Sequence, residues 1–384
     1  MIKYYTTIKN ILYGGTILKK RIIVLIVFLT IMFVLFFTVS SIVGCKKTIA
    51  KQLDVYVWEG YLPESVAVLF EQETGVKLNI NFVSDNGVMI TVLKGGGKAD
   101  IVMPTQSNLN RYYEVGLAQP LDLKKITNYE KVSKSLREQP WTKWDGKQMG
   151  SGEVYAIPYV FGTSGLGINT SMYTKSIDDI GWEVLFDSDL KGRVSSIDSP
   201  SVESVLLLLD LYGIPRENLA TDTQVTLEKI RDKAVALKRN VLKFYKTGAE
   251  AIDLMKNEEV WVIEIWDGGG RMLSQLDPKF KYILPKTGGL GWTDTFMIPK
   301  AATNPAGANL FINFMLRQDI AAMLPEQSGF NTTVEGALDI AKGIDKDLYS
   351  FTEEQMAKLK WAPTLSEEVT SNYITFLEEL STVQ

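Results

Sequence analysis

The sequence predicts an α/β fold of two lobes, each a doubly wound, mostly parallel sheet flanked by helices, with a ligand cleft between them. Three observations carry this. The chain has 384 residues, more than one ordinary core organises, and its 46% apolar and 22% charged composition is that of a globular protein. Strand-period and helix-period apolar runs alternate in two separate stretches, the pattern of β-α-β units. Between those stretches lies I-P-Y-V-F-G-T-S-G-L-G-I-N (Ile157 to Asn169), small and glycine-rich yet apolar, which suits a strand crossing between lobes.

The elements follow in order. In L-D-V-Y-V-W, Leu53, Val55 and Val57 alternate with Asp54, Tyr56 and Trp58, predicting a strand. Pro63 opens a helix with Val66, Leu69 and Phe70 at helical spacing, and Gly75 stops it. A second strand alternates Val76, Leu78, Ile80 and Phe82 against Lys77, Asn79 and Asn81. A short helix (Val88 to Leu93), the turn K-G-G-G-K and the strand A-D-I-V-M-P complete β-α-β-α-β. K-G-G-G-K lacks the G-K-[ST] ending of a phosphate-binding loop and lies between helix and strand, the wrong order for one. The second stretch reads as strand R-V-S-S-I-D, helix S-V-E-S-V-L-L-L-L-D-L-Y-G, helix T-Q-V-T-L-E-K-I-R-D-K-A-V-A-L-K and strand E-V-W-V-I-E-I-W. Strand T-F-M-I-P, helix N-P-A-G-A-N-L-F-I-N-F-M-L and a helical C-terminal region close the chain.

The N-terminus is separate. Lys19, Lys20 and Arg21 precede an uncharged run from Ile22 to Val43 that ends in S-I-V-G-C, so residues 1–44 are expected to be an export signal. I-V-G-C resembles the lipobox of bacterial lipoproteins, which makes Cys45 a lipid attachment point and residues 45–50 a lipidated tether. An uncleaved anchor helix is the alternative, since a run of this length spans a bilayer. Both place the globular part outside the cytoplasmic membrane. Removing residues 1–44 takes away Lys3, Lys9, Lys19, Lys20 and Arg21 and no acid, leaving 45 acidic against 36 basic residues, about −9. That favours cationic partners over nucleic acid or phosphate. The chain has no histidine and one cysteine, which excludes histidine triads, zincin motifs, thiolate metal cages and intrachain disulfides.

Acid and aromatic residues recur together where a ligand is expected, beyond the carboxyl ends of parallel strands. W-E-G-Y (Trp58 to Tyr61), D-S-P-S-V-E (Asp198 to Glu203), W-D-G-G-G (from Trp266) and W-T-D (Trp292 to Asp294) all fall at predicted strand ends or crossovers. Thr105 and Ser107 sit at the end of the third strand. Trp292 and Asp294, two apart in an extended run, stand on one face. The set fits an elongated organic polycation: ammonium groups need carboxylates, and the methylenes between them need flat apolar walls. A cation–π contact contributes about 0.5–2 kcal/mol and a charged hydrogen bond about 1.5–3 kcal/mol. A few of each suffice for micromolar binding. A spherical metal ion gains nothing from indoles, and no metal or cofactor is expected.

V-Y-V-W-E-G-Y-L-P, A-D-I-V-M-P-T, Y-A-I-P-Y-V-F-G-T-S-G-L-G-I-N, E-I-W-D-G-G-G, G-G-L-G-W-T-D-T-F-M-I-P and F-I-N-F-M-L-R occur in this order over nearly the whole chain after Leu53. With them the chain resembles the spermidine/putrescine-binding lipoproteins of bacterial polyamine ABC transporters. The resemblance implies a type II periplasmic-binding-protein fold, with residues 51–162 and 293–338 in one lobe and 163–292 and 339–384 in the other. It implies a monomeric, lipid-anchored protein on the periplasmic or cell-surface side that hands spermidine or putrescine to permease subunits and performs no chemistry. By position, Trp58 and Tyr61 are wall and hydroxyl contacts, and Thr105 and Ser107 line the same lobe. Glu203, with Asp198 nearby, holds one ammonium, Trp266 packs on the methylene chain, and Trp292 with Asp294 holds the central or distal amine. Three positions depart from the family pattern. Ser107 and Phe330 stand where relatives carry tyrosine, and Ala362 falls near the place of a glutamine contact. The D-S-P-S-V-E loop is one residue longer than usual, which loosens the assignment of Asp198.

Other classes remain open on the residues alone. The same fold could take another organic cation such as thiamine or a betaine. Tryptophan platforms with Glu203 and Asp294 also suit an exported glycoside hydrolase, and an acidic lipoprotein could be a surface adhesin.

Overall fold

The computed structural model describes residues 51–197 and 202–382. The export segment 1–44, Cys45, the 45–50 tether and Asp198 lie outside the described residues. The first stretch forms β1 (Gln52–Trp58), α1 (Glu64–Thr74), β2 (Lys77–Val83), α2 (Asn86–Lys94) and β3 (Ile101–Val102), in the predicted order. Gly75 closes α1 in the left-handed conformation, with φ 70°. Helix α2 starts two residues before the expected Val88, because the Asp85 carboxylate accepts from the Val88 N–H at 3.0 Å and caps it. Phe82, expected on the inner face of β2, is 61% exposed at the strand's end, where it borders a cavity.

The chain then runs through β4 (Ala156–Asn169), β5 (Val194–Ile197), α3 (Val202–Tyr212), α4 (Thr223–Asn240), β6 (Val241–Tyr245), α5 (Gly248–Lys256), β7 (Val262–Trp266), α6 (Asp267–Leu276), β8 (Phe280–Ile283), β9 (Leu290–Pro299), α7 (Pro305–Met315) and α8 (Glu367–Thr382). Strand β6, helix α5 and strand β8 were not anticipated, and β7 begins at Val262 rather than Glu259. The glycines of W-D-G-G-G open helix α6 instead of ending a strand.

Strand order is β2-β1-β3-β9-β4-β7-β5-β6 in one continuous sheet. β1 pairs parallel with β2 and β3, and β5 pairs parallel with β6 and β7. The two parallel arms are joined by antiparallel pairing of β9 with β3 and β4, and of β4 with β7. β4 is the crossing strand, and it changes partner at Ser164, which faces Leu290 of β9 and Trp266 of β7.

Each arm is covered on both faces. In the first, Ile101, Phe296 and Ile298 join one core with Phe70 and Phe311, while Val102 and Met297 join another with Met89 and Tyr112. In the second, Val262 packs with Leu206, Ile230 and Phe376, while Ile263 and Ile265 pack with Leu254 and Leu273. Alternate residues of one strand therefore feed opposite cores, as a two-sided sheet requires.

Candidate binding cleft

The carboxyl ends of the parallel strands of both arms open into one cavity of about 560 Å³. Trp58 and Tyr61 reach it from the end of β1, Asp85 and Asn86 from β2, and Thr105 and Ser107 from β3. Ile197 ends β5, Lys246 and Thr247 follow β6, and Trp266 ends β7. Trp292 and Asp294 enter from β9 and Phe330 from a later segment. Eight of the ten expected site residues are thus brought together. Asp198 is outside the described residues, and Glu203 lies in the first turn of α3 with its side chain outside them too. Ala362 packs against the second arm's core instead of lining the cavity.

Asp294 is the chemical centre. Its side chain is 5% exposed, and its two oxygens accept separate hydrogen bonds from Tyr61 Oη at 2.5 Å and Thr105 Oγ1 at 2.6 Å. Asn86 holds Thr105 from both sides, donating from Nδ2 to its hydroxyl at 3.2 Å and accepting from its backbone N–H at 3.0 Å. The threonine proton is thereby directed at the carboxylate. Burial pushes the Asp294 carboxyl up from 3.8 to about 6, and the Thr105 and Tyr61 hydrogen bonds draw it part of the way back. A carboxylate offers about four lone-pair sites, so two accepted bonds leave capacity for a cationic donor.

Gly60 explains how Tyr61 gets there. Its φ of 85° turns the chain directly after β1, and the Tyr61 N–H closes that turn on the Trp58 carbonyl at 3.2 Å. Trp58 is fixed by its indole N–H, which donates to the Met103 carbonyl at 2.7 Å. Phe330 stands edge-on to Tyr61 and to Trp292, with ring centroids 5.0 and 6.2 Å apart. Trp292 lies against Gly162 of β4, its register partner, where a Cβ would come 2.2 Å from the indole ring.

Behind Trp266, the buried Asp267 and Arg271 pair at 2.8 Å. Arg271 also donates to the carbonyls of Leu348 (2.8 Å) and Gly329 (3.1 Å), with its guanidinium over the Tyr349 ring. The backbone carrying Phe330 is therefore tied to helix α6. Sequence reasoning missed Asp85 and Asn86, although the strand-end rule that found Trp58 and Thr105 applies equally to S-D-N-G. It also missed Tyr373 and Gln327, which reach the cavity from helices by packing alone and carry no local signal.

The family model for bacterial extracellular solute-binding proteins matches residues 66–349. The chain belongs to that family. Among relatives of this solute-binding protein, the spermidine/putrescine-binding periplasmic protein of Escherichia coli K12 is 27% identical over 304 residues, covering 78% of this chain and 83% of its own. The putrescine-binding periplasmic protein SpuD of Pseudomonas aeruginosa is 27% identical over 334 residues, covering 82% and 88%. A solved structure from Listeria monocytogenes, named for spermidine/putrescine ABC transport, superimposes with TM-score 0.77 at 27% identity over 87% of this chain and 100% of its own. The Tp0655 lipoprotein of Treponema pallidum shares the fold at TM-score 0.71 and 20% identity, covering 86% and 99%. The solute-binding protein thus has the two-lobed type II periplasmic-binding-protein fold, and the relatives are binding proteins of transport systems.

Proposed function

We propose that this solute-binding protein captures the linear polyamines spermidine or putrescine outside the cytoplasmic membrane, delivers them to ABC permease subunits, and performs no chemistry. The observation that carries this is the buried Asp294 carboxylate, held by two hydroxyls and walled by Trp58, Trp266, Trp292 and Phe330. An ammonium group replaces the solvation that Asp294 has lost, and the indoles cover the methylenes. Glu203, in the first turn of α3, and Asp198 are the proposed partners of a second amine. Phe330 keeps the ring and lacks the hydroxyl of the family pattern, while Ser107 keeps a hydroxyl on a shorter side chain, its Oγ accepting from Asn108 Nδ2 at 3.2 Å.

The proposed lobes comprise residues 51–162 with 293–338, and 163–292 with 339–384. The partner change of β4 at Ser164 supports the boundary near 162, and the packing of Val334, Ala337 and Ala341 on the first arm's core supports a second boundary a few residues beyond 338. Lipidation at Cys45 and a monomeric state complete the proposal. Calorimetric titration of the full-length protein in detergent with putrescine, spermidine and spermine tests the function. Saturable heat with at least one amine is expected. Silence with all three, alongside binding of thiamine, a betaine or a sugar, overturns it. Intact mass of the membrane-extracted protein tests the anchor, which predicts a diacylglyceryl-modified chain starting at Cys45.

A further inference from the structure

A cavity for a polycation should not expose a guanidinium, yet Arg111 lines it at 7% exposure. Two of its five donors meet side-chain acceptors here. Nε donates to Glu367 Oε2 at 2.5 Å, and Nη1 donates to Asn108 Oδ1 at 2.9 Å. The other Glu367 oxygen pairs with Lys94 Nζ at 2.9 Å. These partners come from opposite sides. Lys94 ends α2, and Arg111 follows Leu109 and precedes Tyr112, both in a first-arm core. Glu367 opens α8, whose Val369, Tyr373, Phe376 and Leu380 belong to the second arm's core. A backbone bond from Leu365 N–H to the Ser107 carbonyl at 3.1 Å lies beside the ion pairs, and Tyr373 and Ile374 of α8 line the same cavity.

We infer that Glu367 is a specificity-determining positioning residue: from the second arm it cancels the positive charge of Arg111 on the first arm's wall, so that the wall admits an amine. This deepens the polyamine proposal and rests on it. Because the acid and the guanidinium belong to different sides of the cleft, Arg111 has its ion-pair partner only where α8 meets the Ser107–Arg111 segment. A swing of α8 away would leave Arg111 on the cavity wall without its carboxylate partner, so charge compensation and closure are one event. Nothing about Glu367 touches the ligand; it acts through Arg111.

The test is calorimetric titration of putrescine and spermidine into full-length wild type, E367Q and R111Q/E367Q in detergent. E367Q is expected to fold, since Glu367 is 41% exposed, and to weaken spermidine roughly five- to tenfold, putrescine less. Removing the unmasked charge in R111Q/E367Q is expected to restore affinity to within about threefold of wild type, a recovery that a merely mechanical tie would not give. Unchanged binding by E367Q, or a double variant as weak as E367Q, overturns the inference while the polyamine proposal stands. A wild type silent with both amines overturns the proposal and this inference with it.

Discussion

At Asp294, burial and ligand chemistry pull in opposite directions with pH. Its folded value of about 6 lies above the ordinary 3.8, so the buried charge disfavours the free fold by roughly 3 kcal/mol at neutral pH. The sign follows: this group's contribution to stability is fully present below about 4 and is lost as pH rises through about 6. Binding behaves oppositely, because an ammonium needs the carboxylate ionised. Affinity is therefore expected to fall about tenfold between pH 7 and pH 5, as titrations at the two pH values would show, while the free protein's melting temperature holds or rises. Asp294→Asn should cost about 10- to 100-fold in affinity and abolish that pH dependence. Tyr61→Phe removes one stabilising donor, so the midpoint of the affinity–pH profile should move upward, with binding at pH 7 weakened up to about tenfold.

Among the elements, β4 and β9 fix the wall most tightly. Gly162→Ala would drive a methyl into the Trp292 ring, and the expected outcome is a loss of about 1–3 kcal/mol in stability with a shifted tryptophan emission. Thermal melts and fluorescence spectra check both. The strands show what could be read in advance. Alternation at Leu53, Val55 and Val57 marked β1, and Trp292 and Asp294 two apart marked a shared face, because period two is written in the residues themselves. The glycine run of β4 was legible as a crossover, but the change of partner at Ser164 was not, since pairing is decided by strands more than a hundred residues away. Phe82 misled because alternation says which face a residue occupies and not whether anything covers it. Tyr373, Arg111 and Glu367 were silent for a related reason: helix packing brings them together, and no local pattern encodes it.

For the whole molecule, ligand that binds only the folded form at about 100 times its Kd adds roughly 2.7 kcal/mol. A rise of a few degrees in melting temperature with spermidine or putrescine is expected, absent with mono-amines, since one charge fills one acid cluster. Scanning fluorimetry across an amine series would check it. The strand order also governs how the chain comes into being. Strand β9, residues 290–299, is inserted between β3 and β4, so the first arm's sheet cannot be completed until more than three-quarters of the 384-residue polypeptide exists. Such long-range pairing makes folding slow. Under the export proposed above, that delay is an advantage: the first arm's sheet is unfinished, and so less able to jam a translocation pore, while synthesis continues behind it.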